Sequence, residues 1–342
     1  MVAVPAVAAD TPAQAGMKLL QSYNIITLGD LNLTNSNAHS QGKVFVGGNL
    51  TGGALKVGGG ADGPQAASTY AELTVAGNAS SWDVENSQTS GRGALVQIGG
   101  NSTGSATMNT AGHVDTGGTF NAGGYNPNAT KTVSTGVAGL AGQIQTAQQL
   151  YSVELKALSD TLAALSSSAI DMSNPLSFSG DYGVYTMTAA QFATQNYNYG
   201  TLFSSLTAAQ TVIINVQGGG TLSQGGGANY NQTSANVLWN FNQASSVNIV
   251  GTFSGSILAP SATVTQSGSN INGSVVAQLF NAKAEVHLGT FAGTTRYLVP
   301  SDDVPSTPGV PEPASWMTML IGFGILGSLV RKQRRRERLA AA

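Results

Sequence analysis

The 342-residue sequence predicts a mainly β protein: a β-solenoid with one long amphipathic helix packed alongside, followed by a C-terminal transmembrane helix. Three observations carry this. A strand-and-turn fragment returns several times, a single helical stripe interrupts it, and an uncharged apolar run near the end stops abruptly at a basic cluster.

The recurring fragment reads GKVFVGGNL at 42–50, ELTVAGNAS at 72–80, ALVQIGGNS at 94–102 and HVDTGGTFN at 113–121. Each is a short alternation of side chains that closes on small residues and then Asn or Thr, as a strand running into a tight corner should. Val44 and Val46, Leu73 and Val75, Val96 and Ile98, then Val114 and Thr116, project to one face, whereas Phe45, Thr74, Gln97 and Asp115 face the other way. From Asn49 the equivalent position recurs after 29, 23 and 18 residues, and GSILA at 255–259 returns as GSVVA at 273–277, again 18 apart. Fixed fragments with variable insertions predict stacked coils that bury one face on their neighbours. A β-sandwich is the alternative, but it has no particular need of Gly-Gly-Asn at each strand end. Glycine at the corner allows positive φ or close backbone approach, and stacked Asn side chains can bond along the ladder. Asn49, Asn78 and Asn101 also open N-x-[ST] sequons, which turn chemistry explains without glycosylation.

The helical segment runs from Gly139 to about Ser167. Its apolar residues Ile144, Tyr151, Leu155, Leu158, Leu162 and Leu165 fall on one stripe, while Glu154, Lys156 and Asp160 fall off it. The helix is therefore expected along the solenoid with its leucine edge inward; a coiled-coil partner is the other reading of the same stripe.

Composition narrows the function classes. Charged residues are 9% of the chain, against about 25% in typical soluble proteins, and 44 glycines are nearly double the usual roughly 7%. Ser, Thr, Asn, Gln and Gly must cover the surface, as in an outside-facing repetitive β protein. With no cysteine, there are no disulfides, thiol nucleophiles or thiolate metal sites. Residues up to 300 carry eight basic against twelve acidic groups, so nucleic acid is not an expected partner. At the start, MVAVPAVAAD over 1–10 reads as a signal-peptide remnant or as a disordered terminus.

At the other end, 299–313 holds five prolines and forms an extended linker. Ala314 to Val330 are 17 uncharged residues, about 26 Å as a helix, close to the roughly 30 Å hydrocarbon core of a bilayer. Trp316 marks one interface, and Arg331, Lys332, Arg334, Arg335, Arg336 and Arg338 in the tail 331–342 hold the other end in the cytoplasm. Pro311, Glu312 and Pro313, then the apolar span, then the terminal Arg cluster, together resemble the PEP-CTERM sorting signal. That resemblance implies an exopolysaccharide-producing Gram-negative bacterium, an exosortase-type processing enzyme as partner, and an inner-membrane-anchored precursor that ends at the cell surface, outer membrane or extracellular matrix.

YNIITLGDLNLT at 23–34, GKVFVGGNLT at 42–51, the central helix, and VLWNFNQASSVNIVGTFSGSILAPSATVTQSGSNINGSVVAQ at 237–278 make the stretch 11–298 resemble the choice-of-anchor A domain. The resemblance implies one β-helical adhesive domain related to collagen-binding and ice-binding-like modules, with no catalytic residues or cofactor to carry over.

The residues themselves offer little chemistry. His39, His113 and His287 share no ligand-like spacing, so no metal site is expected. Asp83 and Glu85 would share a strand face as an acid/base pair, but Arg92 is the sole nearby basic residue, and a solvated pair fits better. Asp30 after Gly29 reads as an Asx-turn or a calcium ligand, with the turn favoured for want of further carboxylates. Gly-rich 57–63 and 216–227 contain no phosphate-loop lysine and read as loops between strands. Trp82, Trp239, Phe241 and Tyr230 could stack on sugars if exposed, although LWNF has the look of core. The expectation is a non-enzymatic, secreted adhesin-like protein whose ligand is an extracellular polysaccharide or matrix protein. A polysaccharide-acting β-helix enzyme and an ice-binding protein are the alternatives; fragments such as TVST and TVTQ are too irregular for a flat Thr array.

Overall fold

The computed structural model describes residues 9–298 except 36–37, 60–67, 86–92, 126, 129, 195–198 and 226–233. The described residues fall within one compact unit, Met1–Leu298. The linker, sorting motif, apolar span and basic tail predicted over 299–342 lie outside the described residues, and among those described no helix is long and apolar enough to cross a membrane.

Among the described residues every strand-to-strand ladder is parallel, which excludes the sandwich and makes the unit a solenoid. The repeats stack as their alignment predicts. Val46 lies opposite Val75, Val75 opposite Ile98, and Ile98 opposite Thr116, while Ile257 faces Val275 at the 18-residue step. Val44, Val46, Leu73, Val75, Val96, Ile98 and Val114 are fully buried in the solenoid interior. A coil contributes a short strand to each of three sides, as in Val44–Val46, Leu50–Gly52 and Leu55–Val57.

The coils do not stack in chain order. Ile25–Thr27 of the first coil lies between Val44–Val46 and the last long strand, Val275–Ala282, so first and last coils are neighbours in mid-stack. From there the N-terminal coils proceed outward to Lys131–Ser134, and the C-terminal coils return inward from Ser168–Ala169. A buried side chain closes the seam. Asn24 donates from Nδ2 to the carbonyls of Gly273 and His287, both at 3.1 Å, while its Oδ1 accepts from Ser40 Oγ at 3.2 Å and Gly42 N at 3.1 Å.

Helix α2 (Leu140–Ala164) carries the chain from one end of the stack to the other. Its entry is fixed by Val137 N donating to Thr116 O, Gln148 Nε2 donates to Leu28 O at mid-stack, and Leu162 O accepts from Asn215 Nδ2 at 2.8 Å. The strands at Thr116 and Asn215 are eight positions apart in the stack. At about 4.8 Å per strand that is roughly 38 Å, of which the helical residues 140–162 rise about 33 Å after the turn at 137–139 leads in. The expected leucine edge is inward: Ile144, Leu155, Leu158 and Leu162 are buried, joined by Leu140 and Ser159. Ser159 Oγ donates to Asn240 Oδ1 at 2.6 Å, and Asn240 Nδ2 donates to Ser159 O and Asn215 Oδ1, a satisfied polar lock within an otherwise apolar contact.

Helix α1 (Pro12–Ser22) was not expected, although its signal is in the sequence: Thr11 caps it, with Pro12 at the first position and Gln14 completing a capping box. It crosses α2 where Gly16 lies against the backbone of Glu154. Phe45 and Thr74 do point away from the interior as predicted; Phe45 joins a second core beneath the two helices, and Thr74 is buried beside it.

Candidate functional site

The corner Asn residues form a ladder directed at backbone. Asp30 Oδ1 accepts from Asn49 N at 2.7 Å, Asn49 Oδ1 from Asn78 N at 2.9 Å, Asn78 Oδ1 from Asn101 N at 2.9 Å, and Asn101 Oδ1 from Thr119 N at 2.8 Å. Each side chain thus satisfies a corner amide of the next coil. The preceding glycines exist for space rather than for positive φ: a Cβ on Gly77 would sit 2.4 Å from Asn49 Oδ1, and one on Gly118 2.3 Å from Asn101 Oδ1. Asp30 is the first member of this ladder, bonding the next coil 19 residues on rather than closing the Asx-turn expected from the sequence.

Two residues further along each strand, a second row runs across the same side. Register places Ser223, Asn248, Thr265, Asn281, Asn32 and Thr51 in line across the seam between the two sets of coils. Asn248 Nδ2 donates to Ser223 Oγ at 3.0 Å, Asn281 Nδ2 to Thr265 Oγ1 at 3.2 Å, Asn32 Nδ2 to Asn281 Oδ1 at 3.1 Å, and Thr51 Oγ1 to Asn32 Oδ1 at 2.6 Å. Thr103 and Asn121 continue the outer surface of the N-terminal coils and are exposed. The residues between them, Leu31, Leu33, Val264, Phe280 and Ala282, are buried, which holds the strands flat and the polar row outward. Sequence reading found the corner ladder but missed this row. Its signal is a polar residue between two apolar ones, as in Leu31-Asn32-Leu33, too short to stand out without the register.

A third side carries a small charged cluster. Asp83, Glu85 and Lys56 meet there: Lys56 Nζ lies 3.2 Å from Glu85 Oε1, and Asn109 Nδ2 donates to Asp83 Oδ1 at 3.2 Å and Glu85 Oε2 at 3.0 Å. Burial raises Asp83, and the Glu85 charge beside it raises it further. Burial also pushes on Glu85, but hydrogen bonds from Lys56 and Asn109 outweigh it and hold that carboxyl below its ordinary value. The pair is therefore engaged with a lysine and an amide in a lateral network. Arg92 and Tyr230 lie outside the described residues.

The histidines are less scattered than their spacing suggests. The seam brings His39 and His287 to one carboxylate, with His287 Nε2 2.9 Å and His39 Nδ1 3.6 Å from the oxygens of Glu285. The hydrogen bond from His287, ahead of opposing burial, lowers Glu285. His113 stays apart, with Asp115 at 2.9 Å and Thr132 at 2.5 Å. Among the described residues no group of three or more His, Asp or Glu could hold a metal ion.

The aromatic candidates are core. Trp82, Trp239 and Phe241 are fully buried, with Trp82 Nε1 donating to Ser102 Oγ at 3.1 Å and Trp239 Nε1 to Ser254 O at 3.0 Å. The second Gly-rich run is not wholly loop, since Gly220–Ser223 forms a strand paired with Ala244–Ile249. The sequon asparagines accept from corner amides of the next coil, the bonding along the ladder that the sequence suggested.

A family model described as "Putative Ice-binding-like adhesive domain" matches residues 16–288, and the PEP-CTERM protein-sorting motif matches 309–336. No curated protein matches the chain. Two solved structures are similar to it, each at 12% identity. One is an ice binding protein from an Antarctic biological consortium (TM-score 0.30, covering 84% of this chain and 94% of that one). The other is an ice binding protein from an Antarctic Flavobacteriaceae bacterium (TM-score 0.21, covering 79% and 82%). With its stacked coils spanned by the first of these matches and its tail by the second, the chain belongs to the ice-binding-like adhesive domain family and carries a PEP-CTERM sorting signal for export to the cell surface.

Proposed function

We propose that this protein is a non-enzymatic adhesin of the cell surface or extracellular matrix, and that the side bearing the two polar rows is its contact face for extracellular polysaccharide or matrix protein. The observation that carries the reading is the continuity of Ser223, Asn248, Thr265, Asn281, Asn32 and Thr51 across the seam. Neighbouring strands repeat at about 4.8 Å, and the corner row lies about 6.6 Å away along each strand. Amides and hydroxyls fixed on such a grid are pre-organised, so little side-chain entropy remains to be lost on binding. Because they are neutral, contact with an uncharged polymer costs little desolvation, and many weak bonds add along its length.

In the same reading, 314–330 spans the inner membrane in the precursor, 331–342 stays in the cytoplasm, and an exosortase-type enzyme processes the chain near Pro311, Glu312 and Pro313. The family description favours ice binding as the second reading, for which the same flat face would serve. The polysaccharide-cleaving alternative has less support, because the Asp83 and Glu85 oxygens are engaged with Asn109 and Lys56.

The test is an array of polysaccharides and matrix proteins probed with the full chain and with an Asn32→Lys, Thr51→Lys variant. Binding to at least one array member, reduced tenfold or more by the lysines, is expected. Product release in the same wells would overturn the adhesin reading, and thermal hysteresis abolished by the same lysines, with no array binding, would decide for ice.

A further inference from the structure

The outward positions of the helix-bearing side change size from coil to coil. Phe45, Thr74 and Gln97 occupy one register line, as the sequence pattern suggested. Phe45 fills the space beneath α2 in its own coil, while Thr74 in the next is too small to do so. The result is a cleft of about 180 Å³ between the sheet and the α2 residues Leu140, Ile144, Ala147 and Tyr151. At about 30 Å³ per water this would hold roughly six waters, or one pyranose ring.

The walls are of two kinds. Tyr23 and Tyr70 pack with ring centroids 4.9 Å apart, and Phe45 and Tyr151 at 4.8 Å, so an aromatic cluster forms one end. Tyr70 and Tyr151 are only half-buried and complete the mouth, while Thr69, Thr74, Gln97 and Gln143 supply hydroxyls and amides. Burial pushes Tyr151 up to about 12 and raises Tyr23 and Tyr70 as well, so all three phenols are neutral at any working pH. The Tyr23 and Tyr151 hydroxyls share a hydrogen bond. Glu154 acts electrostatically on both Tyr70 and Tyr151, whereas Lys18 acts on Tyr70 alone, so on balance a carboxylate-bearing ligand would be opposed.

We propose that this cleft binds one pyranose residue of a neutral glycan, its apolar ring face against the half-buried tyrosines and its hydroxyls on the Gln and Thr side chains. An aromatic platform beside neutral amides suits a sugar, which has an apolar C–H face and an equatorial fringe of donors and acceptors. The proposal takes its class of ligand from the adhesive reading above and adds a partly open subsite on the side opposite in character to the exposed polar rows.

The test uses the full chain with methyl glucoside, methyl galactoside, methyl mannoside and glucuronic acid, read by saturation-transfer NMR and titration calorimetry. At least one neutral glycoside should bind saturably, and glucuronic acid at least tenfold more weakly. Thr74→Phe, which repeats the residue found one coil away, should fill the cleft and weaken the sugar at least tenfold with an unchanged circular-dichroism spectrum. Tyr151→Ala, which removes a ring from the mouth, should also weaken the sugar at least tenfold and guards against misfolding of the first variant. The Asn32→Lys, Thr51→Lys variant should bind the monosaccharide normally. Loss of array binding in that variant alone, with Thr74→Phe silent, would overturn the cleft and leave the polar face standing. Loss of sugar in Thr74→Phe, with array binding indifferent to the lysines, would support the cleft and remove the face. Absence of saturable binding by every neutral glycoside would overturn the cleft outright.

Discussion

Replacing Asn24 by Asp tests the seam between the first and last coils with almost no change in volume. Asn24 is fully buried, and its Nδ2 donates to two carbonyls, those of Gly273 and His287 at 3.1 Å. In the aspartate an oxygen faces both carbonyls. Two hydrogen bonds become repulsive contacts, while the bonds accepted from Ser40 and Gly42 survive. A buried group left unsatisfied costs about 1–3 kcal/mol, and two of them, with a carboxylate forced to shed its charge or stay ionised in the interior, amount to roughly 3–6 kcal/mol at neutral pH. That is a large part of the 5–15 kcal/mol that typically separates folded from unfolded. Protonation restores one donor. Burial raises the folded pKa of such a carboxyl above its unfolded value, so the penalty is smallest below about pH 4 and grows as the pH rises. Urea unfolding of both proteins at pH 4 and pH 7 measures this, with hydrogen exchange to locate it: faster exchange should concentrate in 25–33 and 275–287, not in 94–98. A loss under about 1 kcal/mol at pH 7, or exchange that quickens evenly along the stack, would refute the claim that Asn24 holds first and last coils together.

Gly16→Ala should lower stability by about 1–3 kcal/mol in thermal unfolding, because the added Cβ would lie 2.4 Å from the Glu154 carbonyl and push α1 off α2. Asn78→Ala removes the acceptor of the Asn101 amide at 2.9 Å, and since that corner is exposed and water can replace it, the cost in a urea titration should be only about 0.5–1.5 kcal/mol. The lowered Glu285 carboxyl contributes stability above the ordinary glutamate range near 4.3, lost as the pH falls through its lower folded value. With its side chain 43% exposed, screening keeps that contribution within about 1 kcal/mol, so Glu285→Gln should differ from the parent near pH 6 and converge with it near pH 3 when unfolding is followed against pH.

What the sequence made legible was whatever repeats locally. Val46, Val75 and Ile98 carry their alternation within a few residues of a Gly-Gly-Asn corner, and the observed register follows from aligning those fragments. α2 was legible for a similar reason, a stripe long enough to be counted. The polar row through Asn32, Asn281 and Thr265 was not, since each coil offers just one such residue and alignment across the seam joins positions 249 residues apart. His39, Glu285 and His287 were missed for the same reason: their meeting depends on which coil neighbours which, and no local pattern encodes that. α1 was not legible because its 11 residues give too short a stripe to count, leaving the capping box of Thr11 and Gln14 as its local signal.

The mid-stack seam explains why the solenoid needs α2. A chain that winds outward from its first coil cannot add the remaining coils on the other side of that coil without crossing the whole stack, and an extended crossover would leave its backbone groups to be satisfied by chance. A helix satisfies them internally and rises only about 1.5 Å per residue, so a crossing of roughly 38 Å fixes about 25 residues. The side it covers cannot be a flat contact surface for a polymer. The polar rows lie on an uncovered side, and the space left under the helix can be no larger than the step from Phe45 to Thr74 creates. An extended face for a chain and a small cleft for a single residue therefore follow from one topological decision, the placing of the first coil at the centre.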